Sequence, residues 1–451
     1  QAAYRAKIFR GIFQKCSPIH KGLPALFGSF RKKFSGVLHH LELCGVALKS
    51  KRKKRFSMEF RYSNKVKQMK PSIIRELLKQ MSDPQLISFA GGNPAADSFP
   101  AETIRKFSDE LLATDPVGML QYSVTEGYGP LRKAARDYAN RQWPVVSDAD
   151  DLIITSGSQQ IIEFMTKLLC NEGDVIAVEE PAFLGAYNSM RSFGARLAGV
   201  PLEADGVNLE ALEKVFRDQK PKFFYCIPNF QNPTGYTTSL AKRKAICELA
   251  VRYGVPVLED DPYGALRISG EAIPPIKHFD TTGAVVYAGS FSKVLCPGMR
   301  LAFCAGQPDL IGKMVVAKQG SDVHTNVWAQ RVCERILTQT DMDAHLARLQ
   351  DIYREKANYM MAELDAKLAG RMEYIKPEGG MFIWATLPEA VDTDAFVKKC
   401  LEHKLAVVPG SAFYTTDADC RSVRLNFSTP TKAQIAQGVE IMDKVLRELG
   451  A

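Results

Sequence analysis

The stretch Lys222–Tyr263, KFFYCIPNFQNPTGYTTSLAKRKAICELAVRYGVPVLEDDPY, contains the pattern that decides the fold. Two short apolar runs, Lys222–Ile227 and Val255–Glu259, have the length and the β-branched or aromatic content of buried strands. Between them, Leu240–Val251 has apolar residues at the spacing of one helical face. A strand, a helix and a second strand in succession predict a crossover unit with two parallel strands.

The same alternation continues on both sides of this unit. Further short apolar runs end at Gly, Asn, Pro or Ser, and they alternate with amphipathic segments. The pattern predicts an α/β fold with a mainly parallel sheet and helices on both of its faces. The further candidate strands are Leu152–Thr155, Val175–Val178, Val285–Ala288 and Leu301–Ala305, and the further candidate helices include Ile161–Leu169 and Leu209–Phe216.

The C-terminal third of the chain has a different pattern. It is helical from residue 307 to residue 370, and two short candidate strands, Met381–Thr386 and Val423–Asn426, then enclose a helical pattern at Thr393–His403. This order predicts a smaller α+β domain. Because 451 residues exceed one ordinary core, we expect a large domain over 111–340 and a small domain over 341–451, with residues 58–110 packing beside the small one.

Residues 1–57 differ from the rest in charge. They hold 14 of the 59 basic residues and a single acid, Glu42, so the remainder of the chain is slightly acidic. Three interpretations stay open: a transit peptide, a nucleic-acid or nuclear-targeting segment built on Lys51–Arg55, or a segment outside the fold, which would be a disordered extension or translated sequence upstream of a true start at Met58. The third is preferred, which favours a cytoplasmic protein, with a mitochondrial location as the alternative.

Composition excludes several classes of protein. An apolar content of 46% and a charged content of 24% are typical of soluble globular chains. No run approaches the roughly 18 uninterrupted apolar residues of a membrane span. The ten cysteines include no C-x-x-C pair, so we expect reduced thiols and no metal site. The basic balance belongs to the leader, and we expect the body to bind neither nucleic acid nor membrane.

An amine, two hydroxyls and a guanidinium follow the strand Val285–Ala288. Ser290 and Ser292 precede Lys293, and Arg300 lies seven residues further on. Hydroxyls and a guanidinium can hold a phosphate, while a lysine amine between them can form a Schiff base with an aldehyde. Taken alone, the motif is weak and favours a lysine in a surface loop.

Three other predicted strands also end at polar groups. Ser156–Gln159 opens a helix, whose N–H groups suit a phosphate or need only a simple N-cap. Asn232, in an Asn-Pro turn, can donate to a ring oxygen or can serve the turn alone. The carboxylates of Glu259–Asp261 need a cation such as a protonated pyridine if they are buried, and no partner if they face solvent. Since the carboxyl ends of parallel strands meet at one edge, these groups together match the demands of pyridoxal 5′-phosphate (PLP).

The motifs SGSQQ (156–160), NPTG (232–235), DDPYG (260–264) and SFSK (290–293) with Arg300 occur in an order and spacing that resemble the class I/II aminotransferases, PLP-dependent enzymes of fold type I. SFAGGNP (88–94) and LQYS (120–123) resemble a narrower group. That group contains 2-aminoadipate, kynurenine and aromatic aminotransferases and the catalytic domains of MocR-type regulators. The resemblance covers Met58 to the C-terminus and leaves the leader out.

This resemblance implies a role for each matching residue. Lys293 would hold the cofactor as a Schiff base and then act as the general base. Asp260 would pair with the ring nitrogen, while Tyr263 and Asn232 would hydrogen-bond the ring hydroxyl oxygen. The remaining cofactor contacts would come from Ser158, Gln159, Phe183, Ser290, Ser292 and Arg300. Many relatives have Tyr at the place of Phe183, so only the stacking role carries over.

Substrate contacts are also implied by the resemblance. Arg424 would clamp the α-carboxylate with two hydrogen bonds, and Gly92 and Asn232 would lie beside the substrate. Tyr122 would come from the neighbouring subunit, which implies a homodimer with shared active sites.

The implied reaction moves an amino group from an L-amino acid to a 2-oxo acid by a ping-pong mechanism. The donor would be of the 2-aminoadipate, aromatic or branched type, and the acceptor would be 2-oxoglutarate. The alternatives are a lyase or decarboxylase on the same scaffold, or a MocR-like ligand sensor. A leader of 57 residues without a clear three-helix pattern is short for the DNA-binding domain of such a sensor.

Overall fold

The computed structural model describes residues 60–67, 85–416 and 418–451. Tyr62–Ala451 group into one compact unit. The three interpretations of the leader concern residues 1–57, which lie outside the described residues. The boundary between a large and a small domain stays a prediction.

Strands occur in three sheets. In chain order the strands are β1 (Ile87–Ser88), β2 (Asp151–Thr155), β3 (Val175–Glu180), β4 (Arg196–Glu203), β5 (Gly206–Val207), β6 (Phe224–Cys226), β7 (Val257–Asp261), β8 (Val285–Ser290), β9 (Ala302–Gly306), β10 (Glu373–Tyr374), β11 (Phe382–Thr386), β12 (Leu405–Ala406), β13 (Val408–Pro409) and β14 (Ser422–Asn426). The longest sheet has the order β2-β9-β8-β7-β6-β3-β4-β5, a second has the order β10-β11-β14-β13, and β1 pairs with β12.

Helices separate most of these strands. In chain order they are α1 (Asn64–Lys67), α2 (Ala101–Thr114), α3 (Pro116–Leu120), α4 (Gly129–Ala139), α5 (Ser158–Leu169), α6 (Leu184–Arg191), α7 (Leu209–Gln219), α8 (Leu240–Tyr253), α9 (Pro308–Gln319), α10 (Val327–Gln339), α11 (Met342–Leu368), α12 (Thr393–Glu402) and α13 (Lys432–Glu448). Within the described ranges, none of them has the length and apolarity to cross a membrane.

The large sheet is mainly parallel. Strands β8, β7, β6, β3 and β4 run parallel to one another, whereas β9 runs antiparallel between β2 and β8. Strand β5 pairs antiparallel with β4 at the edge. The prediction of an α/β fold with a mainly parallel sheet is confirmed, and the six strands predicted for this sheet occur with ends shifted by at most two residues.

Burial on both faces explains why these strands have continuous apolar runs. Every residue of β8 and β9 is buried, as expected for a parallel sheet that helices cover on both faces. Helix α5 turns Ile161, Phe164 and Met165 toward the main core. A separate cluster, which includes Phe216 of α7 and Ile246 of α8, packs elsewhere against the same sheet. Each such side chain contributes about 1.5–3 kcal/mol by leaving water.

The chain leaves β3 toward β4 and then returns to form β6 on the other side of β3. Loops beyond the carboxyl ends of β3 and β6 therefore diverge and leave a crevice between them. Ligands bind in such crevices in open α/β sheets. The polar motifs identified in the sequence lie at the carboxyl ends of β2, β6, β7 and β8.

The second sheet is antiparallel and lies in the C-terminal part of the chain. Strand β11 pairs with β14, with Trp384 opposite Arg424. Helix α13 begins with a capping box, in which Thr431 and Gln434 each accept a hydrogen bond from the other's backbone N–H. The N-terminal strand β1 pairs with β12 in parallel, so the segment around Gly92 follows directly from a strand that pairs with this part of the chain.

Candidate active site

A cavity of about 260 Å³ lies at the carboxyl ends of β3, β6, β7 and β8. The structure brings all but one of the predicted site residues to its wall: Gly92, Ser158, Gln159, Phe183, Asn232, Asp260, Tyr263, Ser290, Ser292, Lys293, Arg300 and Arg424. Four lining residues were not predicted, namely Ile227, Pro262, Pro297 and Phe382. Tyr122 is the predicted residue that does not line the cavity.

Lys293 lies three residues beyond β8, and its amine is held inside the cavity. Nζ donates a hydrogen bond to the carbonyl oxygen of Gly92 at 2.7 Å. Burial, together with the nearby positive charges of Arg424 and Arg300, lowers the pKa of the Lys293 amine to about 8. A lysine with such a pKa has a substantial neutral fraction near neutral pH, which a nucleophile or a base requires.

Asp260 offers a buried carboxylate oxygen without a partner. Its Oδ2 accepts from the hydroxyl of Tyr225 at 2.9 Å, whereas Oδ1 is buried and has no hydrogen bond. Burial raises the pKa of Asp260 to about 7, against the Tyr225 hydrogen bond, which lowers it. A buried carboxylate is costly without a charged or donating partner. The free oxygen at the cavity wall therefore fits a protonated ring nitrogen.

The neighbouring Asp261 has a different environment. Its oxygens accept from Asn229 at 3.0 Å, from the Gly264 N–H at 2.9 Å and from the Tyr287 hydroxyl at 2.9 Å. These donors satisfy the carboxylate on the far side of the strand, and Asp261 does not line the cavity. Because successive side chains of a strand point to opposite faces, Asp260 faces the cavity while Asp261 accepts hydrogen bonds on the other face.

The phosphate side of the cavity is built on the start of α5. The motif Ser156–Gln159 contains the N-cap residue of this helix, Gly157, and no side chain caps the helix. Uncapped N–H groups and the helix dipole favour an anion at this end. The hydroxyl side chains of Ser158, Ser290 and Ser292 and the guanidinium of Arg300 line the same cavity, and together they fit a phosphate.

Gly157→Ala is expected to weaken PLP binding at least about tenfold. Gly157 has a φ of 86°, and a Cβ there would lie 2.3 Å from Nη2 of Arg300. A side chain in that backbone region costs about 1–2 kcal/mol, and Arg300 would have to move away from the phosphate. Titration of the apoprotein with PLP measures the change. Gly173→Ala, at a φ of 89° with no atom within 4 Å, controls for backbone strain alone, and equal affinities for both variants would contradict the assignment.

Arg424 of β14 is a buried cation at the wall of the cavity. It is 2% exposed, its Nη1 donates to Asn232 Oδ1 at 2.9 Å and its Nη2 donates to the Ala90 carbonyl at 2.6 Å. The guanidinium carbon lies 4.4 Å from the centre of the Phe382 ring. Burial lowers the pKa of Arg424 to about 10, so the group stays charged at neutral pH.

No carboxylate among the described residues forms an ion pair with Arg424, and its Nε has no hydrogen bond. A buried cation without a counter-ion is costly. The arrangement fits an anionic ligand group, such as a substrate carboxylate, that arrives from the cavity.

Two aromatic side chains shape the remaining walls. The Phe183 ring packs so closely on Gly185 that a Cβ at residue 185 would lie 2.3 Å from it. Tyr263 is 5% exposed, with its ring edge-on to Phe382 at 6.1 Å. Burial raises the pKa of Tyr263, and the charge of Arg424 opposes this rise. Its hydroxyl therefore stays protonated and can donate a hydrogen bond to a ring oxygen.

Tyr122 lies on the surface of the chain, away from its own cavity. The side chain is 82% exposed, and its ring contacts His324 edge-on at a centroid distance of 5.6 Å. The predicted contribution to a neighbouring subunit's site stays a prediction.

Some of the unpredicted residues left a signal in the sequence. Tyr225 is a polar interruption of an otherwise apolar strand, and its hydroxyl turned out to bind Asp260. Phe382 occupies an ordinary apolar position of β11, and nothing in its sequence context separates it from a core residue.

Comparisons with known proteins identify the family of the chain. The family Aminotransferase class I and II matches residues 84–442. The aromatic-amino-acid aminotransferase 1 of Thermococcus litoralis is 36% identical over 392 residues, which cover 86% of this chain and 94% of that protein. The 2-aminoadipate transaminase of Thermus thermophilus is 36% identical over 381 residues, which cover 84% and 94%. The solved structure of the kynurenine aminotransferase of Pyrococcus horikoshii, in complex with PMP, has a TM-score of 0.83 at 35% identity and covers 86% of this chain and 98% of that one.

The cavity has the parts that the cofactor of this family requires. It contains a lysine amine with a lowered pKa, an unpartnered carboxylate oxygen and an uncapped helix start. The match covers most of the described residues. The chain therefore belongs to the class I and II aminotransferases, and it is a PLP-dependent transaminase of fold type I.

Proposed function

We propose that this enzyme transfers the amino group of an aromatic or 2-aminoadipate-type L-amino acid to 2-oxoglutarate by a ping-pong mechanism. The single observation that supports a substrate with an α-carboxylate is the guanidinium of Arg424, which is buried at the wall of the cavity that holds Lys293 and has no carboxylate partner among the described residues. The donor class follows the names of the similar proteins, which act on aromatic amino acids, 2-aminoadipate and kynurenine. The acceptor rests on the resemblance alone.

The residues of the chain divide the chemistry between them. When bound, PLP supplies a ring that takes up the electron pair left at the substrate Cα. Asp260 would hold the proton of the ring nitrogen and so keep the ring electron-withdrawing. Arg424 would bind the α-carboxylate and so orient the Cα–H bond toward Lys293. The Nζ of Lys293 would take that proton as the general base and would hold it for its return in the second half of the proton transfer.

A half-reaction screen tests the proposal. The PLP-loaded protein is mixed with single L-amino acids of the aromatic, 2-aminoadipate, branched and basic types, and the visible absorbance and the 2-oxo acid are followed. We expect loss of the visible band with stoichiometric 2-oxo acid for the first two classes. Release of ammonia or carbon dioxide instead would favour a lyase or a decarboxylase. A band that persists with every amino acid would favour a ligand sensor.

Arg424→Lys is expected to raise the KM for the amino acid about 100-fold or more. A lysine ammonium cannot reproduce the two parallel hydrogen bonds of a guanidinium to a carboxylate, and it would lose the contacts to Asn232 and Ala90. Steady-state kinetics with the best donor of the screen measure the effect. Arg421→Lys, in the turn before β14, is the matched control, and an unchanged KM in Arg424→Lys would contradict the role of Arg424.

The rate at which the apoprotein takes up PLP is expected to rise with pH until about pH 8 and then level off. Only the neutral amine attacks an aldehyde, and burial lowers the pKa of Lys293 from 10.5 to about 8. Below that pKa the neutral fraction grows about tenfold per pH unit. Stopped-flow absorbance from about pH 6 to about pH 10 measures the profile. A rate that keeps rising past pH 9 would show an ordinary lysine.

A homodimer with shared active sites is proposed from the exposed surface around Tyr122. Val117, Leu120 and Val124 lie near it in the chain, and each is more than half exposed. Contiguous exposed apolar side chains are typical of protein interfaces. Light scattering tests this directly, because the chain mass is 50.0 kDa, and a monomer in solution would contradict the proposal.

A cytoplasmic location stays a proposal from the sequence.

A further inference from the structure

The turn that carries Asn232 is held by two buried side chains behind the cavity wall. Gln231 and Glu179 are each 1% exposed, and neither lines the cavity. The backbone closes the turn, because the Gly235 N–H donates to the Gln231 carbonyl at 2.6 Å. We call residues 231–236 the Asn232 turn.

The side-chain amide of Gln231 uses its full hydrogen-bonding capacity. Nε2 donates to Glu179 Oε2 at 3.1 Å and to the Pro181 carbonyl at 2.7 Å. Oε1 accepts from the N–H of Thr234 at 3.1 Å and from its hydroxyl at 2.9 Å. An amide has two donors and two acceptor sites, so only one orientation of this group satisfies all four contacts.

Glu179 joins this amide to the sheet. Its Oε2 also accepts from the Ile227 N–H, just beyond β6, at 3.0 Å. Burial raises the pKa of Glu179 to about 8, and the hydrogen bonds from Ile227 and Gln231 oppose this rise. The carboxylate thus connects the end of β3, the end of β6 and the Asn232 turn.

Two parts of the cavity wall depend on this connection. Phe183 lies two residues after Pro181, and Asn232 follows Gln231 directly. Asn232 in turn accepts the hydrogen bond from Nη1 of Arg424 at 2.9 Å. A shift of the Gln231 amide would therefore move Phe183 and Asn232 together, and Asn232 is the hydrogen-bond partner of Arg424.

The backbone before the turn is in an uncommon conformation. Phe230 has a φ of 48° although it is not glycine, a region that side chains enter only where the surroundings hold them. Its ring is fully buried, and a Cβ at Gly380 would lie 2.5 Å from its Cβ. The Asn232 turn is thus fixed on one side by packing and on the other by Gln231.

We propose that Glu179 and Gln231 are positioning residues that set Asn232 against Arg424 and against the cofactor ring. The inference rests on the proposed roles of Asn232 and Arg424 and adds the pair that fixes their relative position. Neither residue touches the substrate. Their effect reaches the reaction through the Asn232 turn.

The test begins with Gln231→Glu, which keeps the size of the side chain and its acceptor for Thr234. The change removes both N–H donors and places a second carboxylate beside Glu179 in a buried site. We expect the KM for the amino acid to rise and the affinity of the apoprotein for PLP to fall, each about 10- to 100-fold. The visible absorbance maximum of the loaded protein is expected to shift, because Asn232 would no longer meet the ring oxygen.

The double variant Glu179→Gln/Gln231→Glu is a partial rescue at unchanged volume. An amide at position 179 can donate to the carboxylate at position 231, which restores a hydrogen bond between the two side chains and removes the pair of buried carboxylates. The contacts to the Ile227 N–H and to the Pro181 carbonyl are not both restored, because Oε2 of Glu179 accepts from Ile227 and from Gln231, and Gln231 also donates to Pro181. We therefore expect KM, PLP affinity and absorbance maximum to return at least part of the way from the Gln231→Glu values to those of wild type.

Three outcomes overturn the proposal. Gln231→Glu leaves all three quantities unchanged; it lowers only the unfolding temperature; or the double variant restores none of them. If Gln231→Glu does not fold, Gln231→Met removes the donors without adding charge and gives the same comparison. PLP affinity needs no turnover, so these results stand even where the wild-type screen refutes the proposed donor class.

Discussion

Lys293→Ala is expected to lower turnover by a factor of about 10⁴ or more and to remove the visible band of the PLP-loaded protein. The amine is the one basic nitrogen among the cavity-lining groups of the described residues that can be neutral near pH 8. Without it, no group there can both hold the cofactor aldehyde and transfer the Cα proton. Absorbance spectra and single-turnover assays with the best donor measure the two effects.

Two controls separate the loss of the Lys293 amine from the loss of side-chain volume and from the loss of any other lysine. Lys293→Met removes the amine with little loss of volume, and it should match the alanine variant in activity. Lys313→Ala, at an exposed position of α9, should behave as wild type. A Lys293→Ala protein that still forms the visible band would refute the assignment of this lysine.

Asp260→Asn is expected to leave PLP bound and to slow turnover about 10³-fold or more. The amide still accepts from Tyr225, so the cavity keeps its shape. It cannot stabilise a proton on the ring nitrogen, and the ring then withdraws electrons poorly from the substrate Cα. Single-turnover kinetics should show a slow proton transfer with nearly normal substrate binding.

The same substitution is expected to stabilise the apoprotein above pH 7. Burial raises the pKa of Asp260 from 3.8 to about 7, so folding favours the protonated acid. The stability that this group contributes is present below pH 4 and is lost as the pH rises through 7, where the buried carboxylate becomes charged without a cationic partner. The gain of Asp260→Asn in the free energy of unfolding is at most about 4 kcal/mol at pH 8 and vanishes near pH 4. Thermal unfolding of both apoproteins across this range measures it.

Asp261→Asn provides the contrast. Asp261 accepts three hydrogen bonds outside the cavity, so its replacement should lower the unfolding temperature and leave the pyridine chemistry intact. Near-normal turnover in Asp260→Asn, together with slow turnover in Asp261→Asn, would reverse the assignment.

Much of the fold could be predicted because strands that are buried on both faces have a simple signature. Strands such as β8 and β9 are continuous apolar runs that end at turn residues. Strand β4 was not predicted, since Gly199 and Pro201 interrupt it and only part of it is buried. A Cβ at Gly199 would lie 2.3 Å from the Glu180 carboxylate, which would then have to shift. The preference for glycine therefore comes from the neighbouring strand and cannot be predicted from the sequence around residue 199.

The site shows the same limit at the level of single residues. Motif order placed Asp260 and Lys293 in one cavity, because strand ends gather at one edge. The choice between Asp260 and Asp261 follows from which face each side chain takes, and the resemblance supplied it before the geometry did. The Glu179–Gln231 pair was not predicted, since its residues are far apart in the chain and meet only when β3 and β6 lie side by side.

The two sheets also separate two kinds of cavity residue. The groups assigned to the ring and the phosphate come from strand ends of the large sheet and from the loops and helix starts that follow them, whereas Arg424 and Phe382 belong to the small antiparallel sheet. Substitutions in β11 and β14 that spare Arg424 can therefore alter the substrate side of the cavity while the residues for the cofactor stay unchanged. Directed evolution toward new amino acids should begin at positions around Phe382 on these two paired strands.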